Sequence, residues 1–164
     1  MALTRLSNQS LTSISSLPAA ISTGKVLQVV TATDTTMRST TSTSYVTGSN
    51  TLSVNITPSS SSNKIIILTS FQTFGSPSLA NCRSTVQRTI GATTTDLATN
   101  RFGHDYNGHS ISVFTGYEDS PSTTSQCTYQ VYFKTNNGSY TVRLNAADAS
   151  NSVDGSIVAM EVAG

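Results

Sequence analysis

A two-residue period of apolar side chains, interrupted at regular intervals by clusters of Ser, Thr, Asn, Gly and Pro, constrains this chain more than any other feature. Strands place successive side chains on opposite faces, so such alternation describes a sheet with one buried and one wet face. Residues 52–57 show it, with Leu52, Val54 and Ile56 set against Ser53, Asn55 and Thr57. Residues 126–135 show it best: Cys127, Tyr129, Val131 and Phe133 face one way, and Thr128, Gln130, Tyr132 and Lys134 the other.

Further strands are read along the rest of the chain. Residues 25–33 carry the β-branched Val26, Val29 and Val30, and in residues 81–90 Val86 and Ile90 share a phase with Cys82, opposite Arg83 and Gln87. The unbroken apolar run 65–68 predicts a central strand covered on both faces, or with one face packed on a neighbouring subunit. Residues 109–118 set Ile111, Val113 and Thr115 against Phe114. Asn136, Asn137 and Gly138 suit the left-handed backbone of a tight hairpin, with Tyr140, Val142 and Leu144 on the returning strand. The last strand, 156–163, is expected to turn Val158, Met160 and Val162 inward and Glu161 outward. About eight strands and no convincing globular helix predict an all-β, antiparallel, jelly-roll-like sandwich over residues 24–164.

Residues 1–23 are different. Leu3, Leu6, Leu11, Ile14, Leu17 and Ile21 recur every three to five positions, while the Ser and Thr between them and Pro18 are poor helix formers. The expectation is an extended or partly helical N-terminal arm that orders against trimer mates or a docking partner.

Composition excludes several functions. Ser and Thr make up about a third of the chain, and charged residues 10%, against about 25% in ordinary soluble domains. Hydroxyl-covered strands fit neutral, hydrogen-bonding contact with other copies or with a polymeric surface, a structural or adhesive role. The formal net charge of +1, with no basic run, argues against nucleic acid. The run 65–68 is far short of the roughly 20 apolar residues of a spanning helix, so no membrane insertion is expected. The first residues lack the continuous apolar centre of a secretory signal, and a mature chain beginning at or near Met1 is expected. Cys82 and Cys127 are then expected as buried free thiols in a reducing compartment, not as a bridge. Neither has a second Cys or a His at ligand spacing, and no metal or other cofactor is expected.

The densest ionisable group is Arg101, His104, Asp105 and His109, inside the irregular stretch 91–108 and its border. No nucleophile motif accompanies it, and the HExxH setting of a metal helix is absent, so no catalytic residue is assigned and the chain is not expected to be an enzyme. Sugar recognition combines aromatic faces with amide and hydroxyl hydrogen bonds, which makes His104, Tyr106 and Asn107, together with Tyr132 and Asn136, the candidates for receptor contact.

Five segments carry a resemblance: the opening Met-Ala-Leu-Thr, GKVLQVV at 24–30, NITPSSSSNKI at 55–65, EDSPSTTSQCTYQVYFKT at 118–135 and GSIVAMEVAG at 155–164. In this order they resemble short fibre-type structural proteins of tailed phages, notably cyanophages. The resemblance covers most of the chain and is weakest over 76–116. It implies an N-terminal arm that docks on other virion proteins and an outward-facing β domain, commonly a homotrimer, carried on a virion assembled in the host cytoplasm. The function expected is a short trimeric tail fibre or tail-associated spike that contacts the host surface, with a host-surface glycan as candidate ligand. The alternatives are a capsid decoration or head-fibre protein, and a freestanding carbohydrate-binding module.

Overall fold

The computed structural model describes residues 25–76, 80–97 and 110–164. These form ten strands and no helix: β1 (Val26–Asp34), β2 (Arg38–Thr40), β3 (Ser53–Ile56), β4 (Lys64–Ser76), β5 (Cys82–Ile90), β6 (Thr93–Asp96), β7 (Ser110–Asp119), β8 (Cys127–Thr135), β9 (Thr141–Leu144) and β10 (Gly155–Val162). All strand pairs are antiparallel.

The long strand β4 organises the first sheet. One of its edges pairs with β7, and the other pairs first with β10 and then with β9. β10 and β9 in turn pair with β1 and β2. The first sheet therefore has four rows, β7, β4, β10 with β9, and β1 with β2, and the second has the order β3-β8-β5-β6. Numbered along the chain, the eight rows run 1-8-3-6 in one sheet and 2-7-4-5 in the other, the jelly-roll arrangement of two Greek keys. The expected number of strands corresponds to these rows.

Leu52, Val54 and Ile56 meet Cys127, Tyr129, Val131 and Phe133 from one sheet, and Ile65, Ile67, Val113, Leu144 and Ile157 from the other, in one core. Only one face of the 65–68 run enters it. Ile65 and Ile67 are buried, whereas Ile66 and Leu68 are half-buried on the outer face, so double coverage is not what the single chain provides.

Three other expectations are corrected. Residues 136–138 do not close a hairpin: β8 belongs to the second sheet and β9 to the first, so this link crosses between sheets, and none of its residues is left-handed. The stretch 91–108 is not irregular throughout, since Gly91 (φ 58°) begins a two-residue turn and Thr93–Asp96 pairs back onto β5. A glycine at that first turn position has the required backbone without strain.

The third correction concerns β10, whose phase is reversed. Gly155, Ile157, Ala159 and Glu161 point inward, while Val158, Met160 and Val162 are half-buried on the outside. Space explains the small residues: a Cβ on Gly155 would meet the side chain of Asn145, φ 57°, and Leu52 Cδ1 at 3.1 Å. Hydrogen bonds explain the charge. Glu161, 1% exposed, accepts from Gln28 Nε2 (2.6 Å), the Ser59 amide (2.6 Å) and hydroxyl (2.8 Å), and Asn63 Nδ2 (2.6 Å). A buried carboxylate is tolerable when its lone pairs are filled in this way.

Burial alone would raise the Glu161 pKa, but the hydrogen bonds from Asn63, Gln28 and Ser59 outweigh it and bring the value from 4.5 down to about 2. The folded state thus holds this proton more weakly than the unfolded chain. Its stabilisation is complete above pH 4.5 and disappears as the pH falls towards 2. Denaturant unfolding at a series of pH values should show an acid loss on the order of 3 kcal/mol from this group. Glu161→Gln should destabilise the protein near neutrality and flatten the acid slope. An unchanged slope would contradict the assignment.

Candidate functional site

The strand registers give the sandwich two distinct ends. At one, Val26 pairs with Val162, Val162 with Lys64, and Ile65 with Asp119. β1 begins at this end, the leader end. At the other, Phe74 pairs with Ser110 and Cys82 with Thr135; the chain leaves the second sheet at Leu97, level with the middle of β5, and re-enters the first sheet at Ser110, at the end away from the leader. The Leu97 amide donates to Val86 O (3.0 Å), which continues the β5–β6 ladder towards that end.

Of the proposed contact residues, Tyr132 lies half-buried on the outer face of the second sheet, opposite Thr85. Asn136 lies just beyond β8 at the loop end, where its Oδ1 accepts from the Asn81 amide at 2.9 Å and the Thr135 hydroxyl at 3.4 Å. It therefore ties two strand ends together. His104, Tyr106, Asn107, the charged cluster around them and the apolar residues Leu3 to Ile21 lie outside the described residues.

The two outer faces differ in chemistry. On the second sheet, Asn55, Thr128, Thr89 and Thr94 form one row across four strands, and Ser53, Gln130, Gln87 and Asp96 the next. Thr128 donates to Asn55 (2.7 Å), Thr89 and Thr94 share a hydrogen bond (3.0 Å), and Gln87 donates to Asp96 (2.6 Å). These rows are mainly hydroxyls and amides, with Asp96 at the edge, and Arg83 opposite Lys134 lies nearer the loop end. At its leader end an open cleft of about 460 Å³ is lined by Thr89, Ile90, Gly91, Ser125, Gln126 and Thr128, none of them charged.

The first sheet carries more aliphatic side chains on its outer face. Its rows are Val29–Met160–Ile66–Glu118, then Thr31–Val158–Leu68–Gly116, then Thr33–Ser156–Ser70–Phe114. Phe114 is 73% exposed and Val29 54%, with Val26 and Leu27 also exposed at the sheet edge. The outward direction of Phe114 agrees with the sequence alternation.

Sequence reading missed a polar tie between the sheets. Arg88 Nη1 donates to both oxygens of Asp119, at 2.8 and 2.9 Å, and the Tyr129 hydroxyl donates to Oδ2 at 2.7 Å. Burial, followed by the hydrogen bond to Asp119, raises the Tyr129 pKa. The inward phase of Arg88 and Asp119, shared with Val86 and Val113, was the available signal. Among the described residues no group of three or more His, Cys, Asp or Glu is placed to hold a metal ion.

Both cysteines are free and buried. Cys82 faces Thr135 and Cys127 begins the same strand, so they lie roughly 25 Å apart along the sheet, beyond disulfide reach. Burial pushes the Cys82 thiol up to about 12 and also raises Cys127.

No protein-family model matches the chain, and no curated protein matches it.

Two outcomes are expected. Arg88→Ala strands Asp119 and should cost about 3–5 kcal/mol in denaturant unfolding, whereas Lys64→Ala, which breaks the exposed pair with Glu118, should cost less than about 1 kcal/mol. Both thiols should resist maleimide in the folded protein and react on unfolding; rapid native labelling of Cys82 would contradict its burial.

Proposed function

We propose that this chain is a non-enzymatic structural protein of a phage particle, a short trimeric tail fibre or tail-associated spike that contacts the host surface. One observation carries the proposal: β1 starts at one end of the sandwich, whereas the chain runs from Leu97 towards the opposite end and re-enters there at Ser110, the end that also holds the Asn136 turn. A body tethered at one end and presenting its loops at the other has the layout of a displayed tip. Residues 1–23 then serve as the attachment and trimerisation arm, and residues 24–164 as the distal domain.

The low charge fits the setting. Attraction between exposed charges is screened beyond about 8 Å in saline water, so neutral contacts repeated over several copies are the more dependable route, each adding through effective concentration. His104, Tyr106 and Asn107, with Tyr132 and Asn136, remain the proposed contacts, and a host-surface glycan the proposed ligand.

Two alterations of the full chain test this. Deleting residues 1–23 should remove the protein from particles. Replacing residues 98–109 by a Gly-Ser linker should leave it incorporated but abolish binding to host envelopes, which in the unaltered protein should vary little between low and high salt. Incorporation without the leader, or a steep salt dependence, would refute the proposal; antibody label on the head would instead indicate a decoration protein.

A further inference from the structure

The outer face of the first sheet carries an apolar patch, and we infer that a second copy of this chain covers it. This rests on the oligomeric part of the proposed function and names the surface responsible. Val29, Met160, Ile66, Val158 and Leu68 form a continuous patch over β1, β10 and β4, with Phe114 on β7 at its border. The neighbours of Phe114 in its row are Ser70, Ser156 and Thr33, so the position needs no aromatic side chain for packing within the chain. Gly116 leaves room for Leu68 to lean across: a Cβ there would stand 3.2 Å from Leu68 Cδ2.

Three observations select a copy of the same chain as the occupant. The first is extent. Four strands, followed from Lys64 to Gln72 along β4, cover on the order of 500 Å² in projection at ordinary strand spacing and rise. Accessible area exceeds projected area, which brings the face close to the roughly 800 Å² that each partner contributes to a standard interface. The second is charge. Along these rows the charged side chains are Lys64 and Glu118, and they pair with each other, so two such faces meet without like-charge repulsion and offer nothing to a strongly charged partner. The third is direction. The face runs along the body from the leader end to the loop end, so copies gathered by their leaders bring this flank, and the exposed Val26 and Leu27 at its edge, against one another.

The test uses the full chain. Wild type, a Phe114→Asp/Val29→Asp double variant and a Thr94→Asp control on the opposite sheet are compared by sedimentation equilibrium, with Met160 oxidation by hydroxyl radicals as a direct probe of the face. Both altered residues of the double variant are exposed, and circular dichroism verifies its fold. Wild type and control should sediment as an oligomer with Met160 protected, and the double variant should shift to the single-chain mass with Met160 readily oxidised. Met160 equally reactive in the wild-type assembly and the double variant would overturn the interface while leaving oligomerisation standing. Met160 equally protected in both would do the same, placing another occupant on the face. A wild-type chain that sediments as a single copy would overturn both the interface and the oligomeric reading.

Discussion

A carboxylate sealed from water stays charged only if donors surround it, and Glu161 has four, from Gln28, Ser59 twice and Asn63. That set of hydrogen bonds determines more than local stability. The pleat gives a strand only two choices of face, and with Glu161 inside, Ile157 and Ala159 must also point inward and Val158 and Met160 outward. The apolar outer surface of the first sheet is thus a consequence of one satisfied buried charge. Ser59 and Asn63 belong to the link between β3 and β4, so the same bonds also fasten the second sheet to the first at the leader end.

Length along β4 supplies the other constraint. Thirteen residues reach from the leader end to the loop end, with β7 on one edge and β10 and β9 in succession on the other. Where the rows break, between β1 and β2, Asp34 accepts from the amides of Thr36 and Thr51, both at 2.9 Å, and pairs with Arg38. Burial opposes the charge on Asp34, but these backbone and Arg38 bonds prevail and lower its pKa. Near the leader end, Arg88, Tyr129 and Asp119 hold the two layers together. With much of the charge spent on internal ties, the outer faces are mainly hydroxyls, amides and aliphatic groups, the materials of neutral surface contact.

Much of the fold was legible because alternation reports burial directly. Leu52, Val54, Ile56 and the inward residues of β8 were assigned to the correct face, as was Phe114 to the outside, and antiparallel pairing followed from the short links. What could not be read depended on partners distant in sequence. Glu161 looked like a solvent residue because its donors lie about a hundred positions earlier, among serines and asparagines with the composition of any turn. Thr93–Asp96 has no apolar member to show a period, and the β5 backbone alone makes it a strand. Asn136 to Gly138 had hairpin chemistry, yet the residues that follow bury Val142 and Leu144 against the other sheet. Of the contact residues, Tyr132 and Asn136 were placed in the fold, and Asn136 proved to have a structural task as well.

A single-particle reconstruction of the full chain as purified addresses the central claim most directly. Jelly-roll bodies should stand side by side with their first sheets facing inward, the leaders gathered at one end and the loops beyond Leu97 and Asn136 at the other. Bodies joined through the hydroxyl and amide face, or a lone body with no neighbour, would contradict the account.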